Sequence, residues 1–253
     1  MPETRQAERR ALDGPTFQDL THGAQIEWHY HDVQQLVYPS SGVLTISVTG
    51  GSWVVPPRRA VWIPAGVAHA HLAHGRTQLR TLSFPASVDP LGAGRPAVLA
   101  VSPLLREVII ALTDGDYGAA QRANLEAVAL DQLRRVDELP LYLPAPADDR
   151  VGAVAALLLA DPSDGRTLAQ LGAAVGASER TLSRLFRQET GMSFPQWRTQ
   201  LRLHHALVLL AGGSSVTSTA LACGYQNPSA FIEAFRQAFG STPGQYRKLW
   251  VMS

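Results

Sequence analysis

Between Phe17 and Phe84 apolar residues come in short bursts, alternating with polar ones and cut by turn residues. AQIEWHY, QLVYP, GVLTISVT, SWVVPP, AVWIP, HAHLA and QLRTLSF read as strands, with SSG, TGG, PPRR and PAG as turns. Many short strands at close spacing predict a β-barrel or sandwich. After Phe84 the period changes. SPLLREVIIALTDG reads as a helix with Ser102 as N-cap, Pro103 at its first position and Gly115 beyond its end. YGAAQRANLEAVALDQLRRVDE predicts a second helix over 117–136, with Leu125, Val128, Leu130, Leu133 and Val136 among charges. LPLYLPAPADD, with three prolines, reads as an extended linker, and everything after it is helical in period.

The expected fold class is therefore α+β. Residues 1–16 are polar and predict a disordered tail, 17–95 a sheet domain and 96–140 a helical segment. Residues 141–149 form the linker and 150–253 an all-α domain.

Composition narrows the class. In 253 residues, 45% hydrophobic and 17% charged content are those of a folded chain. The single cysteine, Cys223, excludes an intramolecular disulfide and fits a reducing compartment. MPETRQAERRALDG lacks the apolar core of a secretory signal, and VGAVAALLLA is too short to span a bilayer. A cytoplasmic protein without a membrane partner is expected. Charge is uneven: from Arg150 onward ten Lys/Arg face five Asp/Glu, whereas residues 1–149 carry twelve Arg against sixteen Asp/Glu. A basic half suits a polyanion.

That half holds two similar units, at about 168–189 and 216–239. In the first, Leu168, Leu171 and Val175 have helical spacing, Gly176 breaks the helix, and Ser178 can cap a second one with Leu182, Leu185 and Phe186 inward. A short helix, a tight turn and a second helix are the order of a helix-turn-helix. Ser178, Glu179, Arg180, Thr181, Ser183, Arg184 and Arg187 face outward, as types that contact base edges and phosphates. In the second unit CGYQNPS is the turn, and Phe231, Ile232, Phe235 and Phe239 are the apolar positions. Gln226, Asn227, Ser229, Ala230, Glu233, Arg236 and Gln237 form its outward set. A bundle with merely solvated faces shares this pattern. The helix Pro195–Ala211 favours DNA, because about 25 Å of rod at ~1.5 Å per residue suits successive major grooves about 34 Å apart.

LAQLGAAVGASERTLSRLFRQETGMSFPQWRTQLRL followed by ALACGYQNPSAFIEAFRQAFGSTPGQYR resembles the double helix-turn-helix domain of AraC/XylS-type transcriptional regulators. The resemblance covers about 151–248 and implies sequence-specific binding of double-stranded DNA by both units, with a separate N-terminal domain for sensing or dimerisation. Cys223 falls in the first helix of the second unit, where it reads as core packing.

Gly23, His29, His31, Gln35 and Gly42 stand at the spacing of the first cupin motif, with glutamine where cupins usually carry glutamate. Pro64, Gly66 and His69 resemble the second, with Arg58 for its leading glycine and Ala73 for its closing asparagine. The resemblance implies a barrel in which His29, His31, Gln35 and His69 converge on a divalent transition metal, Zn, Ni or Fe. In one extended strand, residues 29, 31 and 35 would share a face. His71 is a substitute ligand, and His22 and His74 read as surface residues. A barrel with merely hydrogen-bonded histidines is the alternative.

The expected function is a transcriptional regulator, activator or repressor, whose cupin-like domain senses a small molecule, a metal or both. The helix over 117–136 would make it a homodimer, and RNA polymerase is a further candidate partner. The barrel motif also resembles the subgroup controlling exporters of small toxic compounds. The competing reading is a metal-dependent cupin enzyme fused to a DNA-binding domain. Against it, the glutamate position is neutral.

Overall fold

The computed structural model describes residues 7–92, 94–135 and 141–251. Its strands are β1 Glu8–Arg9, β2 Thr16–Leu20, β3 Gln25–Tyr30, β4 Gln34–Val48, β5 Gly51–Val55, β6 Arg59–Ile63, β7 His69–Phe84, β8 Ala97–Ala100, β9 Arg134–Arg135 and β10 Tyr142–Pro144. Its helices are α1 Pro103–Asp114, α2 Ala119–Asp131, α3 Asp149–Ala160, α4 Leu168–Ala174, α5 Glu179–Thr190, α6 Phe194–Ala211, α7 Val216–Ala222, α8 Pro228–Phe239 and α9 Pro243–Val251. The chain divides into two units. One comprises Met1–Thr49, Val55–Glu138 and Leu249–Ser253; the other comprises Gly50–Val54 and Leu139–Lys248. No described helix is long and apolar enough to cross a membrane.

In the first unit the strands run in the order β1-β3-β7-β4-β6-β8-β9, with β2 also paired to β7. The runs QLVYP and GVLTISVT, expected as two strands, form the single strand β4. Register shifts between Pro39 and Ser41 and between Ser41 and Val43 absorb the residues expected to turn. Such bulges bend a strand, as a closing barrel requires. HAHLA and QLRTLSF likewise merge into β7. Within the expected tail, Glu8–Arg9 pairs with His29–Tyr30 and β2 begins at Thr16, while residues 1–6 lie outside the described residues. Backbone pairing, invisible to a reading by polarity, places Glu8–Arg9 and β2 in the sheet.

One face of this sheet carries Leu36, Tyr38, Trp62, Leu82 and Phe84, which pack against Leu105, Val108, Ile109 and Leu112 of α1. Ser102 caps α1 and Pro103 opens it, as expected. Arg80 is buried at the helix's far end. Its guanidinium reaches Ser40 Oγ at 3.1 Å, Asp114 Oδ1 at 2.5 Å and the Thr113 hydroxyl, and lies over the Phe17 ring. A buried charge so paired is an anchor for α1 on the sheet. The second helix stops at Asp131, short of the expected 136, and Arg134–Arg135 pairs with β8 instead. Val136 lies outside the described residues.

The second unit has its own core. Val151, Val154 and Leu158 of α3 pack with Leu168, Leu171, Leu182, Phe186, Phe194 and Trp197. The expected linker is not wholly extended and free: Tyr142–Pro144 pairs antiparallel with Gly51–Trp53, and α3 begins at Asp149. Trp197 Nε1 donates to the Pro144 carbonyl at 2.9 Å and Gln200 Nε2 to that of Tyr142 at 3.0 Å. A Cβ at Gly51 would stand 2.5 Å from the Tyr142 hydroxyl oxygen, so a larger residue there must displace that ring.

Arg58 has a φ of 69°, the one non-glycine residue at positive φ among those described. It occupies the position where the cupin pattern places glycine. The left-handed region costs an L-residue ~1–2 kcal/mol, and glycine's extra unfolded-state freedom offsets part of that. Arg58→Gly should therefore stabilise the protein by about 0.5–1 kcal/mol, whereas Arg58→Val should destabilise it by at least ~1 kcal/mol. Thermal denaturation of both variants checks the sign.

Candidate functional site

Two sites emerge, one in each unit. In the helical unit, Ser178 caps α5 by accepting from Thr181 N, and Asn227 caps α8 by accepting from Ala230 N. Both helices end at a glycine in the left-handed region, Gly191 and Gly240, whose N–H returns to an arginine carbonyl one turn back. These matching stops give α5 and α8 equal lengths. The turn before each helix repeats as well, with Ala177 N bonding Gly172 O and Tyr225 N bonding Ala220 O. Each helix therefore seats one apolar stripe and exposes the opposite face.

On α5, Glu179, Arg180, Ser183, Arg184 and Arg187 are exposed and Thr181 is half-buried. In the second unit Gln226, Asn227, Ser229, Ala230, Glu233, Arg236 and Gln237 are all exposed. Ser178 and Asn227 have a further task, because their side-chain oxygens are engaged as caps. Glu233 holds the Arg236 guanidinium at 2.8 Å and accepts from Gln237, so α8 presents a braced cluster. Arg236 in turn holds the Glu233 carboxyl below its ordinary range.

Other arginines of the basic half serve the fold. Arg202 donates to the carbonyls of Pro162 and Asp164, and Arg198 to that of Arg166, pinning the 161–166 loop onto α6. Arg150 and Arg166 pair with Asp148 and Asp164. Arg180, Arg184 and Arg187 stand on the exposed face of α5. Glu189, at the end of α5, accepts from Ala147 N and Asp148 N at 2.7 and 2.8 Å. Only the packing of the chain reveals this link between a recognition helix and the start of α3. Cys223 lies at the C-cap of α7 rather than within it, and burial pushes its thiol up to about 12.

In the barrel, His29, His31 and His69 are buried and offer nitrogens within 4.8 Å of one another. They do not share one strand. β3 ends at Tyr30, His31 lies in the following turn and Gln35 lies on β4, so strand alternation does not carry through from 29 to 35. The register of β3 with β7, which sets His29 opposite His69, brings the imidazoles together. Each Nδ1 sits on a backbone carbonyl: His29 on Glu27 at 2.7 Å, His31 on Arg10 at 2.7 Å and His69 on Val67 at 2.9 Å. A carbonyl only accepts, so each Nδ1 carries the proton and each Nε2 a lone pair. The Arg10 carbonyl is a participant that sequence reasoning missed, since it comes from the expected tail.

Burial lowers the His29 pKa and brings that of His69 down to about 3, favouring neutral imidazole, the form that binds metals. His69 Nε2 is buried without a hydrogen-bond partner, as is Gln35 Oε1. Three converging lone pairs with one orphaned in the interior fit a cation. His22 accepts from Gly75 N at an exposed position, and half-buried His74 bonds Thr45 Oγ1.

A chain that joins paired helix-turn-helix units to a barrel of this type has the make-up of a DNA-binding transcriptional regulator. The helix-turn-helix domain family matches residues 171–249 and the cupin domain family residues 16–85. The chain is 34% identical over 226 residues to the HTH-type transcriptional regulator NimR of Escherichia coli (strain K12), covering 86% of this chain and 81% of that protein. It belongs to the AraC-type family of regulators. The HTH-type transcriptional regulator RipA of Corynebacterium glutamicum is 37% identical over 103 residues, 41% of this chain and 31% of that one. The DNA-binding domain of AdpA, solved in complex with a target DNA, is 32% identical over 42% of this chain and 96% of its own, with a TM-score of 0.40. The α+β division stands as the sequence pattern implied, and DNA binding as the family resemblance implied.

Arginines of the two kinds should separate on substitution. Arg180→Ala and Arg184→Ala should each weaken binding to duplexes selected from a random pool by ~1–3 kcal/mol, with unfolding unchanged. Arg202→Ala should lower stability by ~1–3 kcal/mol, since it strips donors from two carbonyls. Duplex titration beside thermal denaturation distinguishes them.

Proposed function

We propose that this chain is an effector-responsive transcription factor whose barrel holds one divalent metal on His29, His31 and His69. The observation that carries this reading is the fixed tautomer: three Nδ1–H groups given to carbonyls leave three Nε2 lone pairs as ligand atoms. Imidazole donors suit zinc, nickel or iron. When bound, the metal keeps its full double charge among neutral ligands and anchors an anionic or water-bridged effector. Gln35 supports the set from β4. The barrel senses rather than catalyses. No Asp or Glu occurs among the buried residues described, so its interior offers no carboxylate acid–base pair.

The protein works in the cytoplasm as a homodimer through α2, with RNA polymerase as a further partner and an exporter gene as target. Exposed Leu104 on α1 and Val128 on α2 support the dimer.

Two measurements test this reading. Replacing His29 and His31 together by Ala should abolish bound metal, measured by elemental analysis, and make operator binding indifferent to effector. A metal-free wild type, or a double variant that still responds, would sink the sensing reading. Val128→Asp should shift the protein from dimer to monomer in sedimentation, and a wild type that is monomeric on DNA would refute the dimer.

A further inference from the structure

His71 differs from the three imidazoles beside it. It follows His69 by two residues on β7 and so points to the same face. Its ring centroid lies 5.1 Å from that of His69 and 5.7 Å from that of His29. It is 4% exposed, yet neither Nδ1 nor Nε2 has a hydrogen-bond partner. Its register neighbours are apolar, Ile46 on β4 and Ile26 on β3. No backbone carbonyl fixes its tautomer, unlike the other three.

A neutral imidazole always carries one N–H and one lone pair. Burying such groups unpaired costs ~1–3 kcal/mol each, whereas an apolar side chain among these isoleucines would cost nothing of the kind. Polarity at this position therefore points to a guest. His71 falls outside the group whose nitrogens approach one another within 4.8 Å, so it stands beside the cluster rather than in it. A metal on three neutral imidazoles retains positive charge and attracts an anionic oxygen. Such an oxygen is also the acceptor that an imidazole N–H requires.

We propose that His71 is an effector-binding residue, donating its N–H to a small carboxylate that coordinates the metal held by His29, His31 and His69. This assignment rests on the metal reading above. It defines the effector class as a compact anion with an oxygen donor, gripped between a cation on one side and an imidazole on the other. Ile26 and Ile46 limit the polar reach to that one head group.

The test uses the full-length protein loaded with Co(II), whose visible absorption reports its ligands, and acetate as the probe. Wild type should take one Co(II) and change spectrum as acetate binds. His71→Leu should keep the Co(II) content and the acetate-free spectrum but bind acetate at least tenfold more weakly, equivalent to about 1.4 kcal/mol. His71→Gln, which restores a donor, should recover most of that loss. His71→Leu should also melt no lower than wild type without acetate, because it removes two unpaired buried atoms. Equal acetate affinity in wild type and His71→Leu, at full Co(II) content, overturns the proposal. A Co(II) loss or altered acetate-free spectrum in His71→Leu overturns it as well, by making His71 a ligand. Failure of wild type to take Co(II) refutes the metal reading itself.

Discussion

Fifteen residues of β4 lie antiparallel along the sixteen of β7, and the face each residue takes in that ladder decides the rest of the barrel unit. Leu36 opposite Leu82 and Gln34 opposite Phe84 set one end, where the outward apolar side chains meet α1. Val48 opposite His69 and Ile46 opposite His71 set the other. A slip by one residue would exchange the faces, turning Leu82 and Phe84 away from α1 at one end and His69 and His71 off their shared face at the other. The two register shifts between Pro39 and Val43 let one strand serve both ends. Arg80, opposite Tyr38 in this ladder, ties α1 down through Ser40, Thr113 and Asp114.

Proton placement follows from this backbone. Carbonyls of Glu27, Arg10 and Val67 come from three separate stretches, yet each meets one Nδ1 and leaves that ring's Nε2 with the lone pair. The Arg10 carbonyl is available because Glu8–Arg9 adds to β3, and the Arg9–Asp32 ion pair closes the same corner. Exposed pairs of this kind contribute little energy, so its value here is positional. His71, given no carbonyl, is the imidazole left for chemistry from outside the chain.

Economy of charge organises the helical unit. Acidic partners and loop carbonyls engage Arg150, Arg166, Arg198 and Arg202, while Arg180, Arg184 and Arg187 of α5 stay exposed. Capping oxygens at Ser178 and Asn227 fix where each recognition helix begins, and Gly191 and Gly240 fix where it stops. Glu189 then connects α5 to Ala147 and Asp148, while Trp197 and Gln200 of α6 hold Tyr142–Pro144. A segment rich in proline thus becomes an ordered strap on the DNA-binding unit.

Period, caps and turn residues by themselves determined the α+β division, both helix-turn-helix units and the face of each recognition helix, because those signals act within a few residues of chain. The histidines were legible for a similar reason, as a spacing. What joins them was not. The break at His31, the pairing of Glu8–Arg9 with β3, the merging of strand pairs into β4 and β7, and the seating of Tyr142–Pro144 all depend on backbone partners distant in sequence. Backbone groups are the same at every residue, so hydrogen bonds among them leave no mark on side-chain pattern, and only the folded chain chooses which strands and carbonyls meet.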